Sequence, residues 1–246
     1  MFSTSIALRV AIGVLMLDAI LELAFISSMV AWLHSTASGS FRIIDPASRT
    51  ISSSTYTSFD FRGEPEHLLV DQGHTSNGAA GTAFVLIGVG GIISLWLRNR
   101  AGKFGHALYC TWLVFNVLAL MLTIGALGYV FAVTNKHRHQ RIVPDVARRM
   151  GDRKYSLQEW TPQNWFSAYL KLDIKDPAVR SEIAKYYRIM KGWQYNLIPL
   201  FLVQLVETVL AILDGMRWRK EVRYAGVARD HGQGQEKVST QSASDM

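Results

Sequence analysis

The chain has 246 residues, 49% of them hydrophobic and 18% charged, with a formal net charge of +7. The apolar residues gather in four blocks, which fits one small bundle with polar loops and leaves no room for a second soluble domain. Much of the Lys and Arg lies near the ends of those blocks, so the positive charge reads as attraction to lipid headgroups rather than to nucleic acid. A single cysteine, Cys110, excludes an intrachain disulfide and a cysteine-built zinc site.

The first block, Ile6 to Leu33, is about 28 residues long and almost wholly apolar, yet it contains Asp18 and Glu22. A spanning helix needs about 20 apolar residues, so the block predicts a membrane span. It is too long for the apolar core of a signal peptide, and Ala37 is a poor cleavage position, so an uncleaved first span is expected. Asp18 and Glu22 are four apart and share a helical face. A charge at mid-bilayer costs about 2.5–3.5 kcal/mol on insertion scales, so this face is expected to turn inward.

His34 to Gly73 is a polar loop of net charge −2, with Arg42, Arg49 and Arg62 against Asp45, Asp60, Glu64, Glu66 and Asp71. Phe41-Arg42-Ile43-Ile44 and Thr50 to Phe61 have strand-like composition, and Asp45-Pro46-Ala47-Ser48 between them is a turn signal, which together suggest a short hairpin. The second span, 79–97, is rich in small residues. Ala79/Ala83 and Gly90/Ser94 are small-xxx-small pairs that allow close helix approach; a glycine-lined permeation path is the functional alternative. A short basic turn with Arg98, Arg100 and Lys103 leads to a third span, 107–133, whose main polar group is Asn116. Two spans joined so tightly form an antiparallel hairpin.

The second long loop, Asn135 to Lys191, carries a net charge of +7. Thr161-Pro162 reads as an N-cap followed by proline at the first helical position. The helix it starts is crowded with aromatic residues and is expected to lie at the membrane interface. Asp176-Pro177 repeats the signal and opens a helix leading into the fourth span, 193–216, which Pro199 is expected to kink. Gln204, Glu207, Ala211 and Asp214 share a face there by their 3–4 spacing. Trp32, Trp160, Trp165, Trp193 and Trp218 are the candidate interfacial anchors. Residues 1–225 thus form the membrane domain, and 226–246 read as a disordered polar tail.

The chemistry-bearing constellation is acid inside the membrane without deep Lys or Arg. Asp18, Glu22, Asn116, Gln204 and Glu207 form a candidate intramembrane polar cluster. Asp18 lies nine residues after Arg9 and Glu207 ten before Arg217, which puts both roughly 13–15 Å into the bilayer at 1.5 Å per residue. Unpaired carboxylates in low dielectric stay protonated or bind a cation, so the cluster is either a proton or cation site or a hydrogen-bonded structural core. His137-Arg138-His139 is a headgroup-facing strip more readily than a metal site. No nucleophile motif, phosphate loop or dinucleotide fingerprint is present, no cofactor is implied, and no enzymatic activity is expected.

Four spans with two long loops on one side resemble claudin-like and tetraspanin proteins in topology only, because the Trp-Gly-Leu-Trp and Cys-Cys-Gly motifs of those families are absent. Trp160-Thr161-Pro162-Gln163-Asn164-Trp165-Phe166 and Met190-Lys191-Gly192-Trp193-Gln194-Tyr195-Asn196-Leu197-Ile198-Pro199 are similar to segments of uncharacterised four-span membrane proteins of filamentous ascomycete fungi. That resemblance implies the topology and carries no activity or cofactor. The expectation is an all-α four-helix transmembrane bundle, in the plasma membrane or another membrane of the secretory pathway, with both termini cytoplasmic. Its expected role is that of a non-enzymatic organiser or adaptor, meeting the lipid bilayer, further copies of itself or other membrane proteins. A proton- or cation-coupled transporter or channel component is the alternative.

Overall fold

The computed structural model describes residues 4–49, 57–98 and 100–244. Its helices are α1 (Thr4–Trp32), α2 (Asp71–Gly81), α3 (Gly90–Leu97), α4 (Gly102–Lys136), α5 (Pro144–Met150), α6 (Pro162–Tyr169) and α7 (Pro177–Ser244). Among the described residues, four stretches are long and apolar enough to cross a membrane: Ser5–Ala37, Asp71–Leu97, Gly102–Lys136 and Pro177–Glu221, here spans 1 to 4. The protein is an all-α four-helix transmembrane bundle, and hence an integral membrane protein. Its outward surface carries large apolar side chains such as Leu17, Val114, Met121 and Val206, all more than half exposed, as a face meeting hydrocarbon requires.

Side-chain contacts fix the order of the spans. Met29 lies beside Gly73 and Ile12 beside Gly91, so spans 1 and 2 are antiparallel. Thr123 bonds Gln204 while Leu113 packs on Gly215, so spans 3 and 4 are antiparallel as well. Trp32 stacks on Tyr186 at 4.6 Å and Phe25 packs on Gly192, which sets span 4 against span 1.

Several small residues of span 2 are used inside the bundle, while Gly78 and Gly81 near its cap end face open space. A methyl group on Gly88 would collide with Met16, and one on Gly91 would come within 2.7 Å of the Trp112 ring. Ala79, Ala83 and Ser94 are buried beside them. The close approach they allow is therefore to α1 and α4, and little of this face is left for a second copy. The middle of span 2, Thr82–Val89, winds as a π-helix, which the sequence reading did not anticipate. The indole Nε1 of Trp112 donates to the Ile87 carbonyl there at 3.1 Å.

Both long loops lie on one side and fuse into a single cap. The expected hairpin forms: β1 (Ser40–Ile44) pairs antiparallel with β2 (Ser58–Arg62), Arg42 opposite Asp60. Residues 50–56, at the start of the expected second strand, lie outside the described residues. The free edge of β1 is covered by loop 2, where Ile44 donates to the Asp173 carbonyl at 2.8 Å and Lys175 donates to that of Arg42 at 2.9 Å. Two more backbone bridges, Pro65 with Tyr155 and Leu68 with Trp160, join the loops further along. Opposite charges match as well: Arg148 meets Asp45 at 2.9 Å, Lys154 meets Glu64 at 3.4 Å, and Asp152 meets both Arg62 and Ser40.

The helix-start signals act as expected. Asn164 donates its backbone N–H to Thr161 Oγ1 at 3.3 Å, and Ala178 donates to Asp176 Oδ1 at 2.8 Å. The aromatic residues of α6, however, do not face lipid. Trp160, Trp165, Phe166 and Tyr169 are fully buried, with Phe61 stacked on Tyr169 at 5.4 Å and Trp160 edge-on to Trp165 at 5.0 Å. The proposed interfacial anchors are corrected accordingly. Trp32, Trp160, Trp165, Trp193 and Trp218 are all under a tenth exposed, because each ring is worth more in the dry cap or between helices than at a headgroup. Pro199 sits within an uninterrupted α7, which continues past its apolar part through 226–244, the stretch that composition reads as a tail.

Candidate functional site

Span 4 turns one stripe inward: Trp193, Leu197, Leu200, Gln204, Glu207, Ala211, Asp214 and Trp218 are all buried. This is the 3–4 spacing that a helix needs to place residues on one face. The polar members of that stripe meet the other spans at three separate levels.

Nearest the cap, Glu22 of α1 is completely buried, and its Oε2 accepts from Asn196 Nδ2 at 3.1 Å. Asn196 also lies beside the half-buried Asp18, one turn below Glu22. The two acids therefore face span 4, as their shared face predicts. Their partner is Asn196, and not Gln204 or Glu207 as depth counting from the charged ends suggests. Gln204 lies eight residues further along α7, roughly 12 Å at 1.5 Å per residue. The offset arises because the Trp32–Tyr186 stack and the Phe25–Gly192 contact set the register of α1 on α7, whereas the distance of each helix from its terminal arginine does not.

The second level joins spans 3 and 4. Gln204 accepts from Thr123 at 2.5 Å, while Asn116 donates to the Trp112 carbonyl of its own helix at 3.0 Å. Both residues are fully buried, so the expected inter-helix bond of Asn116 is replaced by an intrahelical one. Glu207 is also fully buried, and neither of its carboxylate oxygens has a hydrogen-bond partner among the described residues. Nearby on the same helix, Thr208 Oγ1 and Gln204 Nε2 are likewise unpartnered. The five cluster residues are thus divided, with Asp18 and Glu22 at one level and Asn116, Gln204 and Glu207 at another.

The third level closes the end opposite the cap. Arg98, from the turn between spans 2 and 3, forms an ion pair with Asp214, and Tyr109 donates to the same carboxylate at 2.9 Å. The guanidinium lies 5.1 Å from the Tyr109 ring and 5.8 Å from that of Trp218, a cation–π arrangement. This clamp accounts for Asp214. The sequence reading treated Arg98 only as a topology signal, although a buried acid facing a basic turn was a signal for the pair. Asn196 was missed too, although it extends the polar stripe by two turns.

Among the described residues no group of three His, Cys, Asp and Glu is placed to hold a metal ion. His137 bonds its own loop, 3.4 Å from Gln140.

The fold and these three levels define a class: a small four-span bundle with carboxylates between its helices and an aromatic cap on one side. No family model, curated protein or solved structure matches the chain.

Proposed function

We propose that the protein is a non-enzymatic organiser or adaptor of the membrane in which it sits. The observation that carries this reading is the cap. Two loops of opposite net charge are joined by backbone bridges and an aromatic core, and Trp32 ties them to the bundle by packing edge-on against Phe166 of α6 at 4.9 Å. A platform held this firmly suits docking, since a pre-ordered surface pays little entropy on binding. Self-association belongs on span 3 in this reading. Gly125 and Gly128 are exposed there with nothing within 4 Å of a methyl placed on either, whereas Gly88 and Gly91 of span 2 are already packed against Met16 and Trp112. Cysteine cross-linking in native membranes, in a Cys110→Ser background, tests it. Gly128→Cys should cross-link to a second copy while Val85→Cys on span 2 should not. Equal yields would count against this interface.

The proposed membrane is the plasma membrane or another of the secretory pathway, with cytoplasmic termini and the cap on the far side. The basic turn at Arg98, Arg100 and Lys103 supports that orientation. With an impermeant thiol reagent on intact cells, Glu66→Cys should label and Lys103→Cys should not; the reverse pattern would invert the topology.

One observation favours a second reading, a proton- or cation-coupled transporter or channel component. Glu207 is a buried carboxylate with no hydrogen-bond partner among the described residues, an expensive arrangement for structure alone. In proteoliposomes, flux that depends on a proton gradient and disappears in Glu207→Gln would establish it. Gradient-independent behaviour in both proteins would dismiss it.

A further inference from the structure

A cavity of about 610 Å³ opens where spans 1 and 2 meet the cap, within the usual range for a small-molecule site. Its wall on α1 and the turn after it includes Ile26, Val30 and His34; its wall on span 2 includes His74, with Val70 just before; Trp193 of α7 and, on the cap side, Glu64 also line it, the latter paired with Lys154. Val30, His34, Val70 and His74 are all exposed on the outer surface. The opening is therefore a lateral window between two spans and faces the bilayer.

The titratable groups of the cavity gather at its cap end. Deeper in, Ile26 and Val30 lie six and two residues before the end of α1, where Ser27 and Asn77 are the only polar groups in the lining. His34 and His74 lie toward the cap, where the polar loop gives way to the apolar block of each span, at the level of headgroups. A bilayer lipid has the same gradient in the same direction. By contrast, the groove between α1 and α7 lined by Val10, Val14 and Val206 has almost no polar lining, and offers only the featureless contact that any annular lipid makes.

We infer that this window is a specific lipid site, which takes one acyl chain of a bilayer phospholipid between spans 1 and 2 and holds its polar head against His34 and His74. The site is independent of the organiser reading, since it requires neither self-association nor a docking partner.

The full-length protein in nanodiscs containing a phosphatidylcholine with a photoactivatable acyl chain tests the inference. After irradiation, labelled peptides should fall on 26–34 and 68–77, about tenfold above those around Val10 and Val206. Gly73 lines the cavity and its nearest neighbour to an added methyl is Met29 at 3.9 Å, so Gly73→Leu grows into the space. Gly73→Leu and Val30→Trp should each remove the excess labelling and leave the groove labelling and the thermal midpoint in detergent unchanged. Equal labelling of window and groove in the unmodified protein would overturn the inference, a result that does not depend on either variant folding. So would window labelling that survives both substitutions, or labelling by a photoactivatable sterol alone.

Discussion

Single residues show how differently two buried carboxylates can stand in one bundle. Glu22 has a partner in Asn196, while Glu207 has none among the described residues. Replacing Glu22 by Leu removes its bond from the Asn196 amide, a net loss of about 0.5–1.5 kcal/mol, and leaves Asn196 with Asp18 alone. Replacing Glu207 by Leu breaks no described bond and removes a polar group from an apolar interior. Thermal unfolding in detergent should therefore show Glu22→Leu clearly below the unmodified protein and Glu207→Leu at or above it. A drop for Glu207→Leu as large as that for Glu22→Leu would mean that Glu207 has a structural partner. In the cap, Asp45 accepts from the Arg148 guanidinium and from the backbone N–H of Ala47. The Arg148 bond, with help from Ala47, holds this carboxyl below its ordinary value. A lowered folded-state value means that the contribution is complete above the ordinary carboxylate range and is lost as pH falls through the lowered one. Tryptophan fluorescence should show the cap losing thermal stability on acidification from about pH 5 to about pH 3. Arg148→Ala should lower the midpoint at neutral pH and flatten that acid decline.

At the scale of elements, the joint between the hairpin and the end of span 1 depends on Gly63. A methyl there would overlap the Ala37 carbonyl and come within 2.6 Å of the Phe41 ring. The Gly63 carbonyl also accepts from Trp165 Nε1 at 2.6 Å, so the backbone cannot shift without breaking into the aromatic core. Overpacking of this kind typically costs about 1–3 kcal/mol. Gly63→Ala should therefore lower the unfolding midpoint of the cap and increase proteolysis of loop 2, since the two loops share one core. Cleavage unchanged from the unmodified protein would show that the loops fold independently. The helix starts at Thr161 and Asp176 were legible because capping is local, a side chain bonding a backbone N–H two or three residues on. The destination of the aromatic residues in α6 was not legible. An aromatic cluster beside an apolar block has the same composition whether it faces headgroups or a partner loop 100 residues away. Only the bridges of loop 1 to Tyr155 and Trp160 distinguish the two.

For the whole molecule, the bundle is tied at both ends. The cap joins spans 1 and 4 through Trp32, and the Arg98–Asp214–Tyr109 clamp joins spans 2, 3 and 4 at the opposite end. Arg98 and Asp214 are nearly buried, with side chains 12% and 7% exposed. Removing one member of such a pair leaves an uncompensated charge and costs about 3–5 kcal/mol, whereas replacing both is far milder. A double-mutant cycle with Arg98→Met and Asp214→Leu should show large losses for each single change and a much smaller loss for the pair. Additive losses would mean that the two charges act separately.

The sequence by itself determined the class of molecule. Four apolar blocks of sufficient length, two long polar loops and a short basic turn leave a four-span bundle as the economical solution, because every backbone group in hydrocarbon must be bonded within its own helix. It also determined that Asp18 and Glu22 turn inward and that Gln204, Glu207 and Asp214 share a face, since both follow from helical periodicity and from the cost of polar groups in lipid. Which polar group meets which was decided only in three dimensions. The register of one helix on another is set by a few bulky contacts such as Trp32 on Tyr186, and a register shifted by two turns has the same composition and the same periodicity. For the same reason the cap, the Arg98 clamp and the lipid window belong to the tertiary structure, because each is made from residues far apart in the chain whose individual signals say nothing about their partners.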